Sequence, residues 1–261
     1  MLSQINIQDI VTIAKEAGNA IMKIYNQDFD VKYKQDNSPL TLADIKANEI
    51  IESGLNRLSV NFPILSEEGK DILYEEREHW EYFWLVDPLD GTKEFVKKNG
   101  EFTVNIALIY KDTPVLGVVY APAFDVCYWA KKNEGAFKDG QKLPLKIVVQ
   151  RNTYKIVVSR SHMSSETQEF IDAIDTSKEK ELISIGSSLK ICLVAEGEAD
   201  IYPRLGPTME WDTGAAHAIA IEAGKNMQRY NKGEYIRQIY NKENLLNSWF
   251  VVGHGSSNNG F

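Results

Sequence analysis

Phe83-Trp84-Leu85-Val86-Asp87-Pro88-Leu89-Asp90-Gly91-Thr92 is the stretch that decides how this chain is read. Four apolar residues in a row have the pattern of a buried strand, and Asp87 closes the run, so the strand delivers a carboxylate to a sheet edge. Asp90 follows three residues later on a turn stiffened by Pro88. Gly91 lets the backbone turn sharply, so that the amides after it can face a phosphate. Two carboxylates held this close repel each other unless cations fill the space between them, and oxygen ligands on a rigid turn suit Mg²⁺. Asp, Pro and Gly are also ordinary turn formers, so in isolation the motif fits a surface turn about as well as a site.

Other acids shift that balance. Leu65-Ser66-Glu67-Glu68-Gly69 sets paired glutamates just after the apolar run Phe62-Pro63-Ile64-Leu65, although Glu67 alone reads as a solvated loop charge. Asp212 follows Trp211 at the head of an Ala-rich helix, where by itself it reads as an N-cap. Asp44 stands three residues after Thr41, where a capping box puts an acid.

Around these acids the chain shows two textures. Ile7, Ile10, Val11, Ala14, Ala17, Ile21 and Ile24 predict a helix over 7–25, and a second helix is expected from near Thr41 to Leu58, with Ile45, Ile50, Ile51, Leu55 and Leu58 available for burial. Lys32 to Pro39 reads as a loop or short strand. Strands are expected at Phe102–Tyr110, Val115–Tyr120 and Val126–Ala130, punctuated by Gly and Pro. Beyond Leu145–Thr153 the pattern alternates: strand Lys155–Ser159, helix Glu166–Ile174, helix Ser187–Glu196, strand Asp200–Tyr202, and a helix from Trp211 to about Ala223. Such alternation predicts an α/β unit, with two subdomains, 1–150 and 151–261, meeting near residue 150.

The 261 residues are 43% hydrophobic and 25% charged, which suits a globular protein with a sizeable core. A net charge of −8 excludes a general affinity for nucleic acid, and a phosphorylated ligand needs metal ions or a local basic pocket to offset repulsion. Cys127 and Cys192 form neither a disulfide framework nor a zinc spacing, which fits a reducing compartment. The first residues lack a signal-peptide layout, and no apolar run is long enough to span a bilayer. The expected location is the cytoplasm. Peripheral attachment at the inner face of the membrane is the alternative, but no basic amphipathic helix points to it.

Taken together, Asp87-Pro88-Leu89-Asp90-Gly91-Thr92 and Trp211-Asp212-Thr213-Gly214-Ala215-Ala216 resemble the inositol monophosphatase superfamily, in which these elements recur in this order across nearly the whole chain. Four further segments are similar to its bacterial CysQ-type 3'(2'),5'-bisphosphate nucleotidases: Val158–His162, Ser184–Lys190, Ala195–Arg204 and Gly206–Thr208. The resemblance implies a layered αβαβα sandwich of the sugar-phosphatase type, with most metal ligands in the first subdomain and Asp212 and specificity residues in the second. It implies hydrolysis of 3'-phosphoadenosine 5'-phosphate to AMP and phosphate, a role in clearing a by-product of sulfate assimilation, two or three Mg²⁺ ions, and a monomer or homodimer.

Its residue roles carry over as follows. Glu67, Asp87 and the Leu89 carbonyl would hold one ion; Asp87, Asp90 and Asp212 a second; Glu68 would touch a third through water. Thr92 would contact the attacking water and Asp44 would accept its proton, making Asp44, Thr92 and Glu67 the catalytic set. The substrate would meet Glu67, Leu89, Asp90, Gly91, Thr92 and Asp212 at its reacting phosphate, with Ser187, Lys190, Arg204 and His162 supplying anion and base contacts. Set apart from the resemblance, Ser187 and Ser188 read as helix caps, Lys190 as solvated and His162 as a structural or surface histidine.

Rival phosphatase chemistries fail on register. The aspartyl-nucleophile enzymes use D-x-D, whereas two residues separate Asp87 from Asp90. A cysteine phosphatase needs Arg six residues after its nucleophile, and those positions hold Asn133 and Glu198. A non-enzymatic binding protein on the same fold, and an inositol or sugar phosphatase, remain the alternatives.

Overall fold

The computed structural model describes residues 1–27, 31–33, 39–145, 151–160 and 163–253, with only the backbone path at 31–33 and 39–41. His162 lies outside the described residues.

Helix α1 spans Ile7–Tyr25, as its apolar period predicts, and the Asn6 side chain caps it by accepting from Gln8 N–H at 3.2 Å. Strands β1 (Val31–Tyr33) and β2 (Pro39–Thr41) pair antiparallel and lead into α2 (Leu42–Asn56). Ile45 differs from its expectation: it faces solvent, while Ala43, Ala47, Ile51 and Leu55 make the buried stripe.

The first sheet follows. It runs β3 (Ile64–Ser66), β4 (Tyr82–Asp90), β5 (Thr103–Tyr110), β6 (Thr113–Ala121), β7 (Val126–Lys131), β8 (Gly135–Lys138) and β9 (Gln141–Lys142) in spatial order. Only the β3–β4 pair is parallel. Short helices α3 (Tyr74–Arg77) and α4 (Thr92–Val96) flank β4. Strict alternation gives the sheet two apolar faces. Trp84, Val86, Val104, Ile106 and Val118 join the core under α1 and α2, whereas Phe83, Leu85, Ala107 and Val119 join the core on the opposite side.

That opposite side is covered by α6 (Leu189–Glu196) and α7 (Gly214–Glu222), preceded by β10 (Thr153–Ser159), α5 (Ser165–Asp172) and β11 (Glu179–Ile185). With β12 (Ile201–Arg204), β13 (Asn226–Asn231), β14 (Glu234–Arg237) and β15 (Phe250–Gly253), they complete a second sheet of order β11-β10-β12-β15-β13-β14. Val157, Tyr202, Phe250 and Val252 of this sheet pack onto α6 and α7, while Ile156, Val158, Ile201 and Val251 pack on Ile171 of α5. The layers are therefore α1/α2, first sheet, α6/α7, second sheet, α5: the αβαβα sandwich. Among the described residues no helix is long and apolar enough to cross a membrane.

Two backbone contacts fix where α7 sits. Gly214 lies against Leu85 and Ala107, and Gly117 in β6 lies so close to the Ala215 carbonyl that a Cβ would overlap its oxygen and stand 2.8 Å from its carbon. Because the obstacle is backbone, it cannot swing aside. Gly117→Ala is expected to destabilise the protein by about 1–3 kcal/mol in urea denaturation, and to lower activity as well, because α7 begins two residues after Asp212. A wild-type urea midpoint in this variant would show that α7 has room to move.

Candidate active site

Parallel pairing of β3 with β4 matches Ser66 to Val86, so Glu67, just past the end of β3, comes to lie beside Asp87 in β4; Glu67 N–H also donates to the Val86 carbonyl at 3.1 Å. The expected turn after Val86 is instead strand. β4 continues through Pro88 to Asp90, and its register against β5 slips between Asp87 and Asp90. This bulge is what allows two acids three residues apart to converge. Gly91, with φ of 93°, then breaks the strand, and Thr92 opens α4. Asp87 Oδ1 accepts from Leu89 N–H at 3.1 Å, and the Thr92 hydroxyl donates to the Leu89 carbonyl at 3.4 Å.

The other acids come from different layers. Asp44 is in the first turn of α2 and 1% exposed. Asp212 is not an N-cap: Thr213 precedes α7, and the Asp212 carboxylate folds back to accept from Met209 N–H at 2.8 Å. Carboxylate oxygens of Glu67, Asp87 and Asp212 all lie within 4.8 Å of one another. Asp90 adjoins this triad and raises the pKa of both Asp87 and Asp212.

The electrostatics follow from crowding. Burial, and then the charges of Glu67, Asp90, Asp212 and Asp44, hold the Asp87 carboxyl well above the usual carboxylate range. Burial, Asp90 and Glu67 do the same to Asp212, against weaker pulls from the Met209 amide and Arg204. An all-oxygen cluster that strains to stay ionised fits a hard divalent cation, which relieves the repulsion and takes these ligands.

Asp90 and Asp212 also face a cleft whose wall includes Gly91, Ser187, Lys190 and Arg204. Lys190 Nζ donates to the Ser187 carbonyl at 2.5 Å, and burial lowers its pKa. Arg204 donates through Nη2 to the Pro207 carbonyl at 2.7 Å, while its buried Nε has no partner among the described residues. Just before α6, Gly186 N–H donates to Glu101 Oε2 at 2.8 Å. The Ser188 side chain makes no cap bond to α6, whereas Ser187 Oγ accepts from Leu189 N–H at 3.5 Å.

Residues 3–256 match the inositol monophosphatase family profile. The chain belongs to the inositol monophosphatase family. It is 46% identical to the 3'(2'),5'-bisphosphate nucleotidase CysQ of Salmonella typhimurium, covering 94% of this chain and 98% of that one. It is 48% identical to its namesake from Escherichia coli K12 over the same shares. Among solved structures, CysQ from Bacteroides thetaiotaomicron, a bacterial member of the inositol monophosphatase family, superposes with a TM-score of 0.85 at 45% identity, covering 96% of this chain and 97% of that one. The extragenic suppressor protein suhB from Bartonella henselae superposes with a TM-score of 0.76 at 25% identity, covering 94% and 92%.

Several polar residues at this family site have no counterpart among the sequence expectations. Asn105 in β5 bonds to both Asp90 and Ser188. Its one visible signal is an amide inside the apolar run Val104-Asn105-Ile106-Ala107-Leu108. Glu101 accepts bidentately from Arg160 at 2.6 and 2.8 Å as well as from Gly186. Behind Asp212, a buried chain runs from His217 Nδ1 to the Tyr240 hydroxyl (2.9 Å), on to Thr213 Oγ1 (3.3 Å), and from there to the Glu210 carbonyl (3.1 Å). Thr213 spends its one hydroxyl proton on Glu210, so Tyr240 donates to Thr213 and His217 carries its proton on Nδ1.

Two outcomes are expected. Asp87→Asn relieves like-charge crowding, so the metal-free protein gains stability, by about 1 kcal/mol, while Mg²⁺-stimulated phosphatase activity is lost; denaturation and turnover measured on one preparation check both. His217 is pushed down to about 3 by burial. Its folded pKa lies below the unfolded value, so its stability contribution is complete above pH 6.5 and is lost as the pH falls from there towards 3, by up to about 1.4 kcal/mol per pH unit. His217→Gln should flatten that part of the acid-stability curve, and an unchanged slope would mean another group sets it.

Proposed function

We propose that this chain is a magnesium-dependent 3'(2'),5'-bisphosphate nucleotidase that hydrolyses 3'-phosphoadenosine 5'-phosphate to AMP and phosphate. The observation that carries this reading is the junction of two opposite environments: an acid triad within 4.8 Å, opening through Asp90 and Asp212 onto a cleft walled by Lys190 and Arg204. A substrate with two phosphates fits that polarity, one phosphate at the acids with their cations and the other on the basic wall. The identity to curated bisphosphate nucleotidases over nearly the whole chain supports the same substrate class.

In this reading Glu67, Asp87, the Leu89 carbonyl, Asp90 and Asp212 hold two Mg²⁺ ions, with Glu68 beside a third. When bound, the ions supply an acidified water and neutralise charge on the leaving oxygen. The residues do the rest. The Thr92 hydroxyl turns from Leu89 to contact the attacking water, and Asp44 accepts the proton through it; threonine is a relay and not itself a useful base. Gly91 keeps the backbone close to the reacting phosphate. Arg204 Nε, a buried donor with no partner among the described residues, turns to a phosphate oxygen, as do Ser187 and Lys190. His162 contributes beside the base. Residues 1–150 then carry most of the cation ligands, and 151–261 carry Asp212 and the specificity contacts. The site operates in the cytoplasm, in a monomer or homodimer.

Purified protein with Mg²⁺ should release phosphate from 3'-phosphoadenosine 5'-phosphate with a kcat/KM at least about tenfold above that for inositol 1-phosphate. Equal turnover would reassign the substrate, and no release from any ester would remove the enzyme reading. Lys190→Ala is expected to raise KM for the bisphosphate by about tenfold while kcat falls less, since Lys190 binds the ground state as well as the transition state.

A further inference from the structure

Asn105 is a polar residue where the sheet calls for an apolar one. It occupies the middle of β5, is 1% exposed, and stands directly across from Asp87 in the antiparallel pair. Its Nδ2 reaches Asp90 Oδ2 at 3.3 Å and Ser188 Oγ at 3.0 Å. The Ser188 hydroxyl donates in turn to the backbone carbonyl of Asp212 at 2.5 Å. An amide has two hydrogens and a hydroxyl one, so each proton is used once and the direction of every bond follows. Flipping the amide would set its oxygen against the Asp90 carboxylate, so chemistry excludes the other orientation.

We propose that Asn105 and Ser188 form a positioning bridge that holds Asp90 and Asp212 at the spacing a shared divalent cation requires. The bridge rests on the reading that these acids are metal ligands. Asp90 comes from the bulge of β4 and Asp212 from the turn before α7, and the charge of Asp90 disfavours the ionised form of Asp212. Untied, two such carboxylates relax apart. Tying them with Lys or Arg would consume the negative charge that the cation needs. Neutral donors tie them without that loss, one through its carboxylate and the other through its backbone carbonyl. The far end of the bridge is itself anchored. Gly186, two residues before Ser188, is held by Glu101, and Arg160 joins Glu101 to the Ser184 carbonyl at 2.8 Å. Asn105 Oδ1 has no partner among the described residues, so the residue adds donors to the site at no evident benefit to the core.

Asn105→Leu and Ser188→Ala, singly and together in the full chain, test this by calorimetric titration with Mn²⁺ in the absence of substrate. The melting temperature of the metal-free protein and the Mg²⁺ dependence of phosphate release are measured alongside. Asn105→Leu should weaken the lower-affinity Mn²⁺ site about tenfold while the metal-free melting temperature stays the same or rises. Saturating Mg²⁺ should restore most of kcat with KM for substrate little changed. The double variant should be no weaker than the more severe single one, because both break the same bridge. Unchanged Mn²⁺ affinity in folded Asn105→Leu overturns the proposal, as does a fully additive loss in the double variant. If Asn105→Leu does not fold, unchanged Mn²⁺ affinity in Ser188→Ala overturns it equally. Failure of the unmodified protein to bind Mn²⁺ would instead remove the metal reading on which the bridge rests.

Discussion

Carboxylates of Glu67, Asp87 and Asp212 are forced together in a poorly solvated pocket, with Asp90 and Asp44 close enough to add to the repulsion. Nothing in the charge pattern favours this arrangement, so it is imposed by backbone. The β3–β4 register sets Glu67 beside Asp87, the bulge turns Asp90 back towards Asp87, the first turn of α2 brings Asp44, and the turn before α7 brings Asp212. These devices come from β3 and β4, from α2 and from the turn before α7, which belong to three consecutive layers of the sandwich. The core must therefore hold the layers in register against a repulsion that only a bound cation removes.

What could be read from sequence tracks how local the physics is. α1 is legible to the residue because its apolar period and its Asn6 cap lie within its own segment. The chemistry of Asp87–Thr92 is legible for the same reason, but its geometry is not. A proline three residues before a glycine suggests a turn, and only pairing with β5 makes the stretch a bulged strand. β11 gives no strand signal because Glu179-Lys180-Glu181-Leu182 sits at a sheet edge and is largely exposed. Ile45 looks like core by period but falls on the outer side of α2. Asn105 and Glu101 escape notice because their partners, Ser188, Arg160 and Gly186, lie in the other half of the chain.

Residues behind Asp212 contrast with those in front of it. Asn247 donates to the Met209 carbonyl at 2.7 Å and to Thr213 Oγ1 at 3.1 Å, and Gln238 donates to Asn247 at 2.7 Å. Glu210, fully buried, pairs with Lys242 and accepts from the amides of Asn241 and Lys242. Arg77, also buried, grips the same segment through the carbonyls of Lys242 and Glu243 at 2.7 and 2.8 Å. Residues 238–247 contain no helix and no named strand, yet they act as a template for the turn that presents Asp212.

This placement separates stability from function. Behind the turn Glu210 has Lys242 as its counter-charge, Arg77 is held by carbonyls, and most donors have acceptors, so that region adds to stability with or without a ligand. In front, Asp87 and Asp212 are crowded by like charges that the weaker pull of Arg204 on Asp212 does not offset, so their free energy falls furthest when a cation binds. Joining the two regions through one short turn, between Met209 and Gly214, means the satisfied network absorbs the strain of the unsatisfied one. Asp212 can then remain where a cation finds it, and the repulsion that would otherwise open the site becomes a source of affinity.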